Sequence, residues 1–273
     1  MDRNIDQIEF SLFDTETTGL EPESGDRIVE IAGIRFKGKE KIATFESLVN
    51  PHRRICEAAE RINKITPVML RGAPTIEAVL PKFLAFMQNS CLCSYNATFD
   101  VGFLNNELKI IGQNSLENTM IVDILRMAKR ILPNLERYAL WFVAEKLGIK
   151  TAQQHRALSD VELTLEVFYK LSEILKEKGV SDFRNFFSLF GLTSNLLDDL
   201  NHQKLAKIQE ALDLGVKLKI KYLSRYNAEI SEREVVPKEI RQDKGRYYLA
   251  GYCCLRNQER SFRIDGILHL EIL

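Results

Sequence analysis

Two acidic side chains, Asp14 and Glu16, stand two residues apart at the end of the apolar run "IEFSLF", just ahead of the turn-prone Thr17, Thr18 and Gly19. Residues i and i+2 of a strand point to the same side, so the two carboxylates share a face. Burying both unpaired costs several kcal/mol or raises a pKa. The stretch "SLFDTETTGL" holds no Lys or Arg to compensate them, which makes a divalent cation with oxygen ligands attractive. An edge strand carrying two hydrated acids is the alternative. Asp100 follows the apolar run "SCLCSYNATF" and opens a helical pattern, and Asp160 comes five residues after His155 in "HRALSDVELTLEVF". A carboxylate in a helix's first turn is also an ordinary partner of the helix dipole, worth about 0.3–1 kcal/mol. A histidine just before a helix equally reads as a cap or a surface residue.

The elements that must position these groups follow from periodicity. Residues 8–14 read as a strand, and "DRIVEIAGIRFKGKEKIATFESLVNP" as two strands joined by a short glycine-containing turn. Ile55 to Met87 is helical, "SCLCSYNATF" a short apolar strand, and "DVGFLNNELKIIG" a helix stopped by glycine. "TMIVDILRMA" starts as a strand. "NLERYALWFVAEKLGI" and "HRALSDVELTLEVFYKLSEILKEKG" read as amphipathic helices. Three sequential strands followed by alternating helix and strand predict an α/β mixed sheet with flanking helices. Residues 179–203 read as a helical linker. From 204 onward "VKLKIKY" alternates strictly and further strands follow, predicting a small β domain.

Hydrophobic residues make up 45% and charged residues 28% of the 273, values of a globular protein able to bury a core. Net charge is zero, but from Lys204 to Leu273 there are 14 Lys/Arg against 10 Asp/Glu, so the C-terminal part is basic. The sequence contains no run of about 20 apolar residues, and "MDRNIDQIEF" is no signal peptide. The five cysteines lack metal-ligand spacing and read as reduced thiols. A cytoplasmic protein with no membrane partner is the expectation.

"FDTETTGL", "YNATFDVGFL" and "HRALSDVELT", in that order, resemble the three motifs of the DEDDh 3′–5′ exonucleases of the proofreading-subunit type, which have a ribonuclease H-like fold. Tyr95 departs from the histidine common before the asparagine, and "NKIT" replaces the family's usual G-I-T. The resemblance covers about residues 8–178. It implies that Asp14, Glu16, Asp100 and Asp160 bind two divalent cations, Mg²⁺ or Mn²⁺, that clamp the attacking and leaving oxygens of a phosphodiester. It implies His155 as general base, the role a side chain of pKa about 6.5 can fill near neutral pH. Thr17, Leu20 and Asn96 would contact the 3′-terminal nucleotide; for Leu20, plain core packing is the alternative. Phe99 is assigned to the core. The substrate class is nucleic acid with a 3′ end, single-stranded or frayed DNA first. The rival reading is a nucleic-acid-binding regulator with an inactive exonuclease fold, for which an intact general base has no use.

The C-terminal part is similar to a WYL domain, an SH3-like β-barrel, with Tyr247-Tyr248-Leu249 at the name-giving triplet. That resemblance implies a nucleic-acid or ligand pocket at Tyr222, Arg233, Tyr248, Arg260 and Arg263. Lys217, Lys219 and Lys221 read either as a contact surface or as a solvated face. "FFSLFGL" faintly resembles a sliding-clamp peptide but lacks the leading Gln, so a linker helix packed between domains is expected and a clamp partner is not.

Overall fold

The computed structural model of the chain describes residues 3–150, 155–192 and 195–273. Its first sheet is built from β1 (Glu9–Thr17), β2 (Ile28–Lys37) and β3 (Glu40–Leu48), then β4 (Cys91–Ser94) and β5 (Ile121–Asp123), in the order β3-β2-β1-β4-β5. β1 pairs antiparallel with β2 and parallel with β4, so the sheet is mixed as expected. The β2–β3 turn passes through Gly38 at φ 57, a left-handed conformation that glycine adopts without strain.

The connecting helices are α1 (Glu57–Asn63), α2 (Pro67–Leu70), α3 (Ile76–Met87), α4 (Ala97–Ile110), α5 (Ile124–Ile131), α6 (Leu140–Lys146) and α7 (Ala157–Glu177). The period-2 alternation of β1 decides which face each residue serves. Phe10 and Leu12 join the cluster formed by α5, α6 and α7, while Phe13 joins the cluster under α3 and α4. Asp14 and Glu16 continue the Leu12 face. They are therefore turned toward α7.

Several boundaries depart from the sequence reading. β1 runs on to Thr17, which keeps both acids inside the strand. The strand read as "SCLCSYNATF" ends at Ser94, because Asn96 takes φ 69 and α4 starts at Ala97. Asparagine tolerates that left-handed geometry better than most residues. The helix expected from Asn134 is confined to Leu140–Lys146. Asn134 is itself left-handed at φ 68, and the Tyr138 hydroxyl donates to the Leu132 carbonyl at 2.8 Å, folding the segment back.

α8 (Phe183–Phe190) buries Phe186, Phe187 and Phe190 in the same cluster as Phe10 and Phe168. Phe10 and Phe186 meet edge-on at 6.0 Å. "FFSLFGL" thus spends its aromatic rings on packing, as expected. α9 (Asn195–Leu214) bridges the two cores, with Leu200 in the first and Ile208 and Ala211 in the last.

The second sheet comprises β6 (Leu218–Leu223), β7 (Ile230–Asp243), β8 (Arg246–Cys253), β9 (Gln258–Arg263) and β10 (Ile267–Ile272), ordered β10-β6-β7-β8-β9. The expected barrel is not closed: β9 and β10 occupy opposite edges. α9 packs against β7 and β10 instead, so a helix supplies cover that closure would otherwise provide. Lys217 and Lys219 pair across the sheet with Glu234 and Glu232 at 3.2 and 3.1 Å. Those two lysines form a solvated, internally paired face. The five cysteines are free thiols. No helix among the described residues is long and apolar enough to cross a membrane.

Candidate active site

Asp14 and Glu16 on β1 and Asp160 in the first turn of α7 offer carboxylate oxygens that all lie within 4.8 Å of one another. Asp100, in the first turn of α4, adjoins them. Its Oδ1 accepts the Thr15 backbone N–H at 3.0 Å and the Thr15 hydroxyl at 2.7 Å, and its Oδ2 accepts the Ser94 hydroxyl. Four acids from three widely separated stretches of the sequence therefore converge at the β1 end that faces the α4 and α7 N-termini.

The electrostatics follow. Burial, then the charges of Asp100, Glu16, Asp160 and Glu30, hold the Asp14 carboxyl well above the usual carboxylate range. Burial and the same crowd of acids push Glu16 to about 8, against a smaller lowering from a hydrogen bond to Asn63. Asp100 is raised to about 6 by burial, held down by its bonds to Ser94 and Thr15. No Lys, Arg or His among the described residues forms an ion pair with Asp14 or Glu16. An all-oxygen, like-charged and partly buried donor set suits a hard divalent cation. Such a cation would displace the protons that the crowding otherwise retains.

His155 is exposed, two residues before α7 begins, and takes φ 54. Thr17 is buried and its hydroxyl donates to the Gly19 carbonyl, which fixes the turn. That turn displays Leu20 with 74% of its surface accessible; core packing is excluded for it. Asn96 caps α4 without a side-chain cap bond. Phe99 packs on Phe103 at 4.9 Å. Tyr95, the departure in the second motif, donates its hydroxyl to the Tyr138 carbonyl at 2.7 Å.

A family model described as "Exonuclease" (RNase_T) matches residues 11–168. The chain belongs to the exonuclease family. A second model, the WYL domain, matches residues 203–272. The exonuclease is 39% identical over 172 residues to the PolC-type DNA polymerase III of Caldanaerobacter subterraneus, covering 63% of this chain and 12% of that protein. It is 30% identical over 264 residues to the PolC-type DNA polymerase III of Clostridium perfringens, covering 94% of this chain and 18% of that one. It thus spans less than a fifth of the length of these relatives. Among solved structures, E. coli exonuclease I in complex with a dA16 oligonucleotide superposes with a TM-score of 0.60 at 17% identity, over 90% of this chain and 55% of that one. The fold is shared. The chain thus carries an exonuclease domain followed by a WYL domain.

Sequence reasoning missed the residues that hold the carboxylate cluster in place. Glu30 on β2 is opposite Glu16 in the strand register and buried. It accepts the Arg156 guanidinium through Nε at 3.1 and 3.2 Å and the Ala157 N–H at 2.9 Å. Its signal was a single acid inside the apolar run "IVEIAGI". Asn63, 1% exposed, donates to the Thr17 carbonyl at 3.4 Å. Thr15 and Ser94 carry no sequence signal separable from any strand residue. In the WYL module, Tyr222, Arg233, Tyr248, Arg260 and Arg263 line one cavity of about 420 Å³. Its wall includes Phe262, which the Arg233 guanidinium overlies at 5.7 Å.

Proposed function

We propose that Asp14, Glu16, Asp100 and Asp160 hold two divalent cations, Mg²⁺ or Mn²⁺, and that the enzyme releases nucleoside 5′-monophosphates from single-stranded or frayed DNA 3′ ends. The observation that carries this reading is the convergence of three carboxylates from β1 and α7 within 4.8 Å, unrelieved by a basic side chain on Asp14 or Glu16. When bound, the cations supply neutralisation at the oxygens of the scissile phosphodiester. His155, exposed at the entry to α7, takes the proton of the attacking water. Leu20 offers an apolar surface to the terminal base, with Thr17 shaping its turn and Asn96 at the start of α4 contacting the terminal nucleotide.

The chain divides into an exonuclease domain (1–178), a helical linker (179–203) and a WYL-like domain (204–273). The linker is more than a tether, since α8 fills the first core. The cavity at Tyr222, Arg233, Tyr248, Arg260 and Arg263 grips a strand upstream of the cut, with arginines on phosphates and aromatic rings on bases. Free thiols throughout suit a reducing, cytoplasmic setting. The test is digestion of 5′-labelled single-stranded DNA, duplex DNA and RNA with and without Mg²⁺ or Mn²⁺. Ladders shortening from the 3′ end, fastest on single-stranded DNA and absent in chelator, are expected. Metal-independent digestion, or none, would refute the assignment.

A further inference from the structure

We propose that Asp26 is the positioning residue for the turn that displays Leu20, and so sets where the 3′-terminal base of the strand is met; the inference rests on the terminal-base role of Leu20. Leu20 is 74% exposed, so packing of its own side chain does not fix its place. The backbone on either side of it does. Before it, the Thr18 hydroxyl donates to the Asp26 Oδ1 at 2.8 Å; after it, the Glu21 N–H donates to the Asp26 Oδ2 at 3.1 Å. The Asp26 N–H closes the ring by donating to the Glu21 carbonyl at 3.2 Å. One carboxylate therefore clamps both shoulders of the turn. Gly19 lies against it: a Cβ at that position would collide with the Asp26 carboxylate, so the close approach requires glycine.

The clamp is itself anchored. Asp26 is not one of the clustered carboxylates, and its charge is met by Arg53, whose Nη2 lies 3.3 Å from Oδ1 and whose Nη1 donates to the Gly25 carbonyl. Arg53 precedes Ile55, which packs with Val29, Ile65 and Leu70, and the Cys56 N–H donates to the Thr18 carbonyl at 3.0 Å. Thr18 is buried and its hydroxyl also accepts the Arg27 N–H at 3.1 Å. Hydrogen bonds to an ionised carboxylate are stronger than neutral ones, and holding the backbone in place before the strand arrives removes an ordering cost from binding. Releasing Asp26 returns that cost as weaker binding of a strand whose terminal base meets Leu20. The carboxylates on β1, α4 and α7 keep their own supports.

The test measures KM and kcat of the full chain for Asp26→Ala, Asp26→Asn, Leu20→Ala and the double variant Leu20→Ala with Asp26→Ala, on the labelled strand that the parent digests fastest in Mg²⁺. Asp26→Ala is expected to raise KM by about fivefold to tenfold with kcat within about twofold, the signature of lost binding rather than lost chemistry. Asp26→Asn, which keeps one acceptor oxygen, should raise it less. In the Leu20→Ala background, Asp26→Ala should add less than about twofold, because the two act through one contact. Gly19→Ala leaves Asp26 in place: it should raise KM as Asp26→Ala does, and joining it to Asp26→Ala, which removes the carboxylate it strikes, should add nothing further. Should Asp26→Ala unfold at the assay temperature, Asp26→Asn and Gly19→Ala carry the same comparison. A parent that digests nothing, or a parental KM for Leu20→Ala, would overturn the reading of Leu20 and this inference with it. A raised KM for Leu20→Ala beside a parental KM for Asp26→Ala, an equal rise from Asp26→Ala in both backgrounds, or a fall in kcat with KM unmoved would overturn this inference alone.

Discussion

Removing the charge of Glu16 tests how the carboxylate cluster is balanced. The side chain titrates near 4.5 when unfolded and is pushed to about 8 in the fold. Between those values the unfolded chain has lost its proton and the folded chain keeps it. The folded state then binds more protons, and stability falls as pH rises. At about 1.36 kcal/mol per pH unit the ceiling is roughly 5 kcal/mol. Solvent screening at this half-buried group brings the expected loss to about 2–4 kcal/mol. The contribution is fully present below pH 4.5 and gone above pH 8.

Glu16→Gln keeps a hydrogen-bonding group for Asn63 and removes the titration. Urea melts in chelator at pH 5 and pH 8 should show the parent losing this increment and the variant losing less by about the same amount. Mg²⁺ added at pH 8 should restore the parent by mass action and help the variant little. The reasoning is refuted if parent and variant lose stability in parallel across the window, or if Mg²⁺ stabilises both equally at pH 8.

Four further outcomes are expected. Asp14→Asn should lose both activity and the rise in melting temperature on adding Mn²⁺; an unchanged calorimetric response would remove the cluster as a metal site. His155→Ala should retain that metal response while turnover drops by about 10²–10⁴, and near-parental turnover would acquit the histidine. Glu30→Gln should cost about 1–3 kcal/mol in a urea melt and weaken metal binding, because it releases Arg156 and the first N–H of α7; unaltered metal affinity would show the helix is held without it. Arg233→Ala with Arg260→Ala should leave hydrolysis of a small nucleotide ester unchanged, while anisotropy on long single strands shows a salt slope shallower by about 0.7 per lost phosphate contact; an unchanged slope would dismiss that cavity as a grip.

Much of this was legible because chemistry leaves local marks. The pair Asp14 and Glu16 shares a face by strand period alone, and an acid after an apolar strand marked Asp100. The supports were less legible because their partners are distant in sequence: Thr15 meets Asp100 across 85 positions, and Glu30 meets Arg156 across 126. The helix expected from Asn134 failed because a left-handed asparagine and a tyrosine–carbonyl bond outweigh amphipathic periodicity. The open second sheet escaped notice since nothing in "RSFRIDGILHLEIL" says which edge the last strand joins. All five residues expected in that module nevertheless line one cavity.

A cluster of like charges cannot hold itself together, so each acid needs a support that does not consume its charge. Asp100 has the Thr15 and Ser94 hydroxyls, which orient both of its oxygens. Glu16 has the amide of Asn63. Asp160 is placed through its helix: Glu30 accepts the first N–H of α7 and anchors Arg156, so the basic side chain nearest that helix start is spent on a neighbouring strand rather than on the cluster. Asp14 accepts no hydrogen bond among the described residues, yet it stands under the charges of all the others. It is the carboxylate with most to gain from a cation. Its substitution should therefore abolish the metal response, whereas loss of Glu30 should only weaken it.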